Sequence, residues 1–230
     1  MNIHGLQKMT LLDFPGLVAC TVFLGGCNMR CPFCHNWELV DGSAPVVMDD
    51  RELIKFLGKR QGLLDGVAFT GGEPLLRPEL PEIIREIRQM GFKIKLDTNG
   101  SLPDRLDALI EEGLLDYVAM DIKNSRERYG ETIGIPGYDI SDIEKSVQLL
   151  LSGKVPYEFR TTVLKKYHDS KSFEDIALWI RGASQYYLQA FVDRNTVPTK
   201  NLEAFTPQEM QEFLDIVRLQ VPDAQLRGIE

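Results

Sequence analysis

The sequence predicts an α/β protein that folds as a partial (β/α)6 barrel of the TIM-barrel type, with a short N-terminal hairpin. Runs of β-branched and apolar residues alternate along the chain with segments whose apolar residues are spaced three and four apart, as in amphipathic helices. Strands that alternate with helices in this way form a parallel sheet with right-handed crossovers. Neither a break in composition nor a fixed repeat divides the 230 residues, so we expect a single domain.

The strands are predicted from their apolar runs, taken in chain order. Residues 1–16 should form the hairpin, residues 17–191 the barrel core, and residues 192–230 a C-terminal helix and tail. The predicted core strands span residues 17–24, 66–70, 93–97, 116–121, 157–163 and 186–191, with residues 224–230 as a candidate for a seventh strand.

The helices between these strands are marked by residues typical of helix ends. Ser141 with Glu144 and Thr206 with Glu209 have the spacing of a capping box, which predicts a helix start at each place. Glycine is favoured just beyond the last turn of a helix. The glycines that stand at predicted helix ends are Gly91, Gly113, Gly153 and Gly182.

The charge balance excludes some classes of partner. The chain has 26 Lys and Arg against 34 Asp and Glu, a net charge of −8, which does not suit a protein that binds phosphate backbones. Its longest apolar stretch, residues 17–24, is far shorter than the roughly 20 residues of a membrane-spanning helix. The first residues also lack the pattern of a secretory signal. We therefore expect no nucleic acid partner, no membrane partner and a cytoplasmic location.

Three of the four cysteines, Cys27, Cys31 and Cys34, lie within eight residues directly after the first core strand. This clustering does not fit a disulfide scaffold, whereas thiolates are the usual protein ligands of iron–sulfur clusters. Three cysteines would leave one iron of a four-iron cluster open for chemistry. Two alternatives remain: a zinc site with His35 as fourth ligand, and a cluster that adds Cys20, although free cysteine in mid-strand is usually a small buried hydrophobe.

The C-x3-C-x2-C spacing resembles the signature of the radical S-adenosylmethionine (radical SAM) superfamily. Residues 26–36, Gly-Cys-Asn-Met-Arg-Cys-Pro-Phe-Cys-His-Asn, resemble the loop of glycyl-radical-enzyme activases. The likeness is strongest to activases of anaerobic ribonucleoside-triphosphate reductase, with pyruvate formate-lyase activases close to them, and it extends to about Phe191. It implies a [4Fe-4S] cluster on Cys27, Cys31 and Cys34, with S-adenosylmethionine (SAM) bound at the open iron.

The resemblance also implies roles for residues that follow the later strands. The segment from Gly71 would contact the amino group of SAM, whereas an aspartate–threonine pair and a further aspartate would surround a monovalent cation. On residue type alone, these are equally a tight turn, a strand-to-helix turn and a surface ion pair. The implied cofactor contacts are Phe33, Asn36, Gly71, Gly72, Glu73, Asp97, Thr98, Asp121 and Lys123, of which Asp97, Thr98 and Asp121 form the cation set.

Two later strands carry further candidates. Arg160 lies within the fifth core strand, where an arginine must either pair with an acid or reach a cavity, and both readings remain open. Pyruvate formate-lyase activases have a histidine near the end of the sixth strand, but this chain has none there. Gln189 and Phe191 are the candidate replacements for the adenosine contact.

All of these candidates fall at or just after strand ends, where parallel αβ barrels form their active sites. The resemblance implies a radical SAM activase that takes a hydrogen atom from a glycine of a partner enzyme, namely anaerobic ribonucleoside-triphosphate reductase. The single cysteine cluster implies an external electron donor, such as flavodoxin or ferredoxin. The alternatives are a radical SAM enzyme for a small molecule, of the 7-carboxy-7-deazaguanine synthase type, and a non-catalytic metal or redox protein.

Overall fold

The structure, a computed structural model, describes residues 1–229. Within this part of the chain, nine strands form one sheet in the order β3-β1-β2-β4-β5-β6-β7-β8-β9. The strands are β1 Asn2–Thr10, β2 Ala19–Leu24, β3 Met48–Asp49, β4 Gly66–Gly71, β5 Lys93–Thr98, β6 Tyr117–Asp121, β7 Tyr157–Val163, β8 Tyr186–Ala190 and β9 Gln225–Arg227. The pairs from β2 through β9 are all parallel, whereas β1 is antiparallel to both β2 and β3.

Helices connect the parallel strands. They are α1 Trp37–Asp41, α2 Asp50–Gly58, α3 Leu80–Gln89, α4 Pro103–Glu111, α5 Tyr129–Thr132, α6 Ser141–Leu151, α7 Ser170–Trp179 and α8 Pro207–Arg218, with a 3-10 helix at Pro74–Leu76. In the described part of the chain, no helix is both long and apolar enough to cross a bilayer. The alternation of strands and helices confirms the predicted fold class, a partial barrel.

The ends of the sheet add detail to the sequence prediction. The candidate strand at residues 224–230 is present as β9, which runs parallel to β8; Glu230 lies outside the described residues. At the other end, β1 is one nine-residue strand rather than two short ones. The N-terminal hairpin is therefore made by β1 and β2 together, because β1 finds its hydrogen-bond partners in β2. The division into hairpin, core and tail stays a prediction.

The helix signals agree with the structure with one exception. Thr206 caps α8 with the expected reciprocal bonds to Glu209. The capping box predicted at Ser141 is wrong, because α6 begins at Ser141 itself and Ile140 precedes it as the cap. The carboxylate of Asp139 accepts the Ser141 N–H at 3.0 Å instead, so a residue two positions earlier satisfies that donor. The four predicted terminal glycines, Gly91, Gly113, Gly153 and Gly182, all have the positive φ that L residues avoid.

The apolar core lies between the sheet and the helices, whereas the inner face of the barrel is charged. In β5, Ile94 and Leu96 are fully buried. Lys95 and Asp97 alternate with them and therefore occupy the opposite face. Arg160 of β7 forms ion pairs with Asp97 and with a carboxylate of β6, which shows that these charges meet inside the barrel. The charged side chains therefore lie on the inner face of the barrel, whereas the buried apolar surface between sheet and helices supplies the stability.

A buried histidine fixes the loop that follows β6. His168 is 3% exposed, and its Nε2 lies 3.0 Å from the carbonyl oxygen of Lys123, which can only accept a hydrogen bond. The backbone N–H of Leu164 donates to His168 Nδ1 at 3.4 Å, so the neutral ring satisfies both contacts. Burial lowers the pKa of His168 to about 4, because a charged ring would be desolvated there.

This shift predicts acid sensitivity that depends on one residue. The folded-state pKa is below the unfolded value of about 6.5, so the stabilisation is complete above pH 6.5 and is lost as the pH falls towards 4. Urea denaturation at pH 7 and pH 5 isolates this contribution as a difference between two proteins. Between those pH values the wild type should become about 2 kcal/mol less stable relative to His168→Gln, which keeps an N–H donor but does not titrate. Equal changes with pH in the two proteins would contradict this assignment.

Candidate cofactor site

A cavity of about 230 Å³ opens at the C-terminal ends of the parallel strands. It gathers residues from the loop after β2, from the ends of β4, β5 and β6, and from β7 and β8. The predicted site residues that line it are Cys27, Cys31, Phe33, Cys34, Asn36, Gly71, Gly72, Asp97, Thr98, Asp121, Lys123, Arg160 and Gln189. The two predicted site residues missing from this lining are Glu73 and Phe191.

The cysteine loop is held in place by its backbone. Gly26 donates its N–H to the carbonyl of Leu39 at 2.7 Å, and its own carbonyl accepts the N–H of Glu73 at 2.8 Å. The Arg30 N–H donates to the carbonyl of Ile133 at 2.9 Å, which ties the middle of the loop to the end of α5. Three separate elements therefore fix the path of the loop across the mouth of the barrel.

The three thiols line one cavity wall and are partly or fully buried. Cys31 is 9% exposed, and burial raises its pKa to about 12, whereas Lys123 acts in the opposite direction. The N–H of Met29 donates to Cys27 Sγ at 3.4 Å, and Asn99 Nδ2 donates to the same sulfur at 3.7 Å. Such environments favour the thiol until an iron ion displaces its proton, since metals bind the thiolate.

This donor set fits an iron–sulfur cluster. Three soft sulfur ligands face one space, and N–H groups reach the Cys27 sulfur as they do around protein-bound clusters. Among residues 1–229, no three His, Cys, Asp or Glu side chains converge on one point as a single metal ion requires. His35, the candidate zinc ligand, places its Nε2 2.7 Å from the carbonyl oxygen of Val192. Cys20 is fully buried in the core and does not line the cavity.

Glu73 lies beneath the cavity rather than in its lining. Its carboxylate accepts the Leu75 N–H at 3.0 Å, which caps the 3-10 helix, and the Asn99 N–H at 2.7 Å. It also accepts the Thr98 hydroxyl at 2.9 Å, and no part of the residue is exposed. Burial raises the pKa of Glu73 to about 7, despite these three donors. Glu73 thus connects the end of β4 to the end of β5.

The acidic residues expected around a cation are already paired with cationic side chains. Arg160 Nε donates to Asp121 Oδ1 at 3.0 Å, and its Nη1 lies 3.3 Å from Asp97 Oδ2. Lys123 Nζ donates to Asp121 Oδ2 at 2.8 Å. The Lys95 ammonium donates to Asp97 Oδ1. These pairs hold the pKa of both aspartates below the usual range although burial acts the other way. Arg160 therefore satisfies both readings of the sequence, since it pairs with acids and borders the cavity.

Of Gln189, Phe191 and Phe33, some line the cavity and others pack behind it. Gln189 lines the cavity, whereas Phe191 stacks on His35 with ring centroids 5.5 Å apart and is 3% exposed. Phe33 borders the cavity, but its ring packs against Tyr167 at 5.8 Å. The sequence placed Phe191 correctly at the end of β8 but could not show that the His35 ring would cover it.

Sequence reasoning missed two side chains that support the site. Asn99 bridges three partners: its amide reaches Cys27 Sγ and Asn28 Oδ1, and its oxygen accepts from Ser101. An Asn-Gly pair such as Asn99-Gly100 indicates only a turn, and nothing in the spacing points to the cysteine loop 72 residues away. The sequence pattern predicts Lys95 only as part of a strand. A lysine two positions before an aspartate nevertheless lies on the same face of the strand as that aspartate.

Comparisons with known proteins agree with this arrangement. The family model for the radical SAM superfamily matches residues 21–180. A protein of Methanocaldococcus jannaschii, provisionally named a glycyl-radical enzyme activating enzyme, is 31% identical over 99% of this chain and 96% of its own length. The pyruvate formate-lyase-activating enzyme of Clostridium pasteurianum is 34% identical over 54% of this chain and 52% of that protein. The 7-carboxy-7-deazaguanine synthase of Methanopyrus kandleri is 35% identical over 48% of this chain and 51% of that protein.

A solved structure supports the fold independently. A domain of the pyruvate-formate lyase-activating enzyme from Bacteroides vulgatus superposes with a TM-score of 0.58 at 20% identity. The match covers 71% of this chain and 99% of that domain. At this level of identity, the likeness supports the fold alone, a partial barrel.

The contact between the cysteine loop and the Gly71-Gly72 turn yields a prediction. A Cβ added at Gly72 would lie 1.9 Å from the carbonyl oxygen of Gly26, so Gly72→Ala must push the cysteine loop outward. We expect at least a twofold lower iron content after anaerobic reconstitution and a loss of about 2 kcal/mol in stability.

Gly58→Ala is the matched control for this change. Gly58 ends α2, and the nearest atom to its added Cβ is Met90 Cε at 3.9 Å. Alanine there should leave the iron content unchanged and stabilise the helix slightly, because alanine favours helices over glycine. Iron analysis and thermal melting measure both variants, and full iron loading of Gly72→Ala would show that the loop does not depend on this contact.

Proposed function

The chain belongs to the radical SAM superfamily, and we propose that it activates a glycyl-radical enzyme by taking a hydrogen atom from a glycine α-carbon of that partner. The observation that carries this proposal is the arrangement of the three thiols, which share one cavity with the paired charges of Asp121, Lys123 and Arg160. The similarity to an activating enzyme over 99% of the chain points to the same chemistry. A non-catalytic metal protein would leave the arrangement of charges at the strand ends without a role.

The cysteines and the strand ends would hold the cofactors. Cys27, Cys31 and Cys34 would bind a [4Fe-4S] cluster, and SAM would occupy the remaining cavity. When bound, the two supply a one-electron reductive cleavage that gives a carbon radical able to abstract hydrogen. The cavity residues proposed to contact SAM are Phe33, Asn36, Gly71, Gly72, Asp97, Thr98, Asp121, Lys123, Arg160 and Gln189, with Glu73 and Phe191 behind them.

The chain's own residues bind, orient and shield the ligand. Arg160 uses Nε and Nη1 for its ion pairs, which leaves its Nη2 donors for an oxygen of the methionine carboxylate. Gly71 has a φ of +118° and Gly72 packs against the Gly26 carbonyl, so the turn lets backbone approach the ligand closely. Met29 and Phe33 are 1% and 4% exposed and exclude water from the cysteine side.

The implied monovalent cation is the part of the cofactor set that these residues do not fit. All four carboxylate oxygens of Asp97 and Asp121 already accept hydrogen bonds from Lys95, Lys123 or Arg160. A cation bound to these oxygens would lie beside three positively charged groups that repel it. No step of the proposed function therefore passes through a metal cation at this position.

The partner we propose is anaerobic ribonucleoside-triphosphate reductase, on the likeness of residues 26–36 to the activases of that enzyme. Electrons would come from flavodoxin or ferredoxin, because the sequence has only one cluster of cysteines. A cluster held by thiolates requires a reducing compartment, and the cytoplasm fits that need. A small-molecule substrate is less favoured, since the similarity to the deazaguanine synthase spans 48% of the chain, whereas the similarity to the Methanocaldococcus jannaschii protein spans 99%.

The central test is anaerobic turnover. The reconstituted protein, with SAM and dithionite or reduced flavodoxin, should form 5′-deoxyadenosine, measured by liquid chromatography. Addition of the candidate reductase should produce a glycyl radical doublet in its EPR spectrum. Formation of 5′-deoxyadenosine without the doublet would reject this partner, and the absence of both would reject the radical SAM activity itself.

The ligand set is tested by two cysteine variants. Cys31→Ala removes one of the three cavity thiols and should abolish 5′-deoxyadenosine formation. Cys20→Ala removes a thiol that is buried in β2 and should keep the iron content and the activity, at a cost of about 1 kcal/mol in stability. Iron analysis and visible absorption follow the cluster in both proteins, and cluster loss in Cys20→Ala would overturn the three-cysteine assignment.

A further inference from the structure

The floor of the cofactor cavity is a partition of ion pairs. Asp97, Arg160 and Gln189 line the cavity on one side and also a second cavity, of about 170 Å³, on the other. The second cavity is bordered by Lys95 and by residues 12–15 of the loop after β1. Lys95 is 2% exposed and lies two positions before Asp97 on β5, so it reaches that carboxylate from below the cavity.

Each carboxylate oxygen in this partition has its own cationic donor. The Lys95 ammonium donates to Asp97 Oδ1. Arg160 donates to Asp97 Oδ2 and to Asp121 Oδ1. Lys123 serves Asp121 Oδ2. A monovalent cation binds to proteins through oxygen ligands of this kind. Here each of those oxygens already contacts a positively charged nitrogen donor of the chain, and that charge opposes a second cation at the same oxygen.

The local charge also gives no reason for an added cation. Lys95, Lys123 and Arg160 contribute three positive charges, against two negative charges from Asp97 and Asp121. Glu73, which accepts the Thr98 hydroxyl, adds at most one negative charge and so at most balances this excess. The neighbouring Glu158 is already paired with Arg227 at 3.0 Å. Counted over these side chains alone, a further positive ion would therefore meet a neutral or positive environment.

We propose that Lys95 is a built-in cation: from below the cavity its ammonium supplies to Asp97 the positive charge that a bound monovalent ion would otherwise supply, so that this protein holds its cofactor site together without such an ion. Lys95 acts through Asp97 and is a positioning residue. The proposal rests on the proposed function only in taking the same cavity as the SAM site, and its test does not require turnover.

The test compares salts that differ only in the size of the cation. Thermal midpoints and SAM affinity of the reconstituted wild-type protein should be the same in 100 mM potassium chloride, sodium chloride and N-methyl-D-glucamine chloride, within about 1 °C and twofold at equal ionic strength. Lys95→Ala vacates the lysine's space and leaves Asp97 Oδ1 without its donor. Its midpoint should fall by about 5–10 °C in N-methyl-D-glucamine chloride and recover by at least half, saturably, in potassium or sodium chloride.

Two further variants separate a cation site from a general effect of salt. Lys154→Ala removes a surface lysine that pairs with Glu111 and is about half exposed. Its thermal midpoint should fall little and should not depend on which cation is present. Lys95→Met removes the charge but fills the space, so potassium or sodium should not restore its lowered thermal midpoint. A wild-type midpoint or SAM affinity that rises with potassium or sodium would overturn the proposal, because a cation would then bind beside Lys95 or displace it. A folded Lys95→Ala protein that shows no cation preference would overturn it too, and if this variant does not fold, the wild-type comparison decides alone.

Discussion

The ion pairs that cross the inside of the barrel are the constraint on which the site depends. Charges removed from water must be paired, and an unpaired partner costs several kcal/mol. Arg160 of β7 can satisfy its guanidinium only if Asp97 of β5 and Asp121 of β6 point to the same place. The register of three adjacent strands is therefore tied to one geometry at their C-terminal ends, and the cavity takes its shape from that geometry.

A second set of contacts links this floor to the cysteine loop above it. Glu73 joins the ends of β4 and β5 through Thr98 and Asn99, and Asn99 in turn reaches the sulfur of Cys27. Two hydrogen bonds thereby connect the strand ends to the sulfur of Cys27, which we propose as a cluster ligand. This connection explains why the turn after β4 carries a carboxylate even though that carboxylate is absent from the lining of the cavity.

The sequence was sufficient for those parts of the structure that depend on local pattern. Apolar runs predict the strand positions, and glycines predict the helix ends because glycine adopts a positive φ without strain. The spacing of Cys27, Cys31 and Cys34 places three thiols in one loop. The parts that could not be predicted depend on partners distant in the chain. Nothing near Glu73 indicates that its acceptors would be filled by residues 25 and 26 positions later. Likewise, the capping prediction at Ser141 failed because Asp139, an equally good acceptor, lies close by.

The charged side chains lie on the inner face of the barrel, and the apolar core lies between the sheet and the helices. This separation explains how one small barrel can hold so much charge. Val67, Phe69, Ile94 and Leu96 are fully buried, as Ile84 of α3 is, so burial of apolar surface between sheet and helices supplies the stability. The inner face does not have to contribute to it, and buried ion pairs are at best weakly stabilising. What they contribute is orientation: replacing them with apolar residues would preserve the fold but remove the fixed donors and acceptors that a charged ligand needs. The charged interior is therefore better explained by ligand binding than by stability, and Lys95 belongs to that interior.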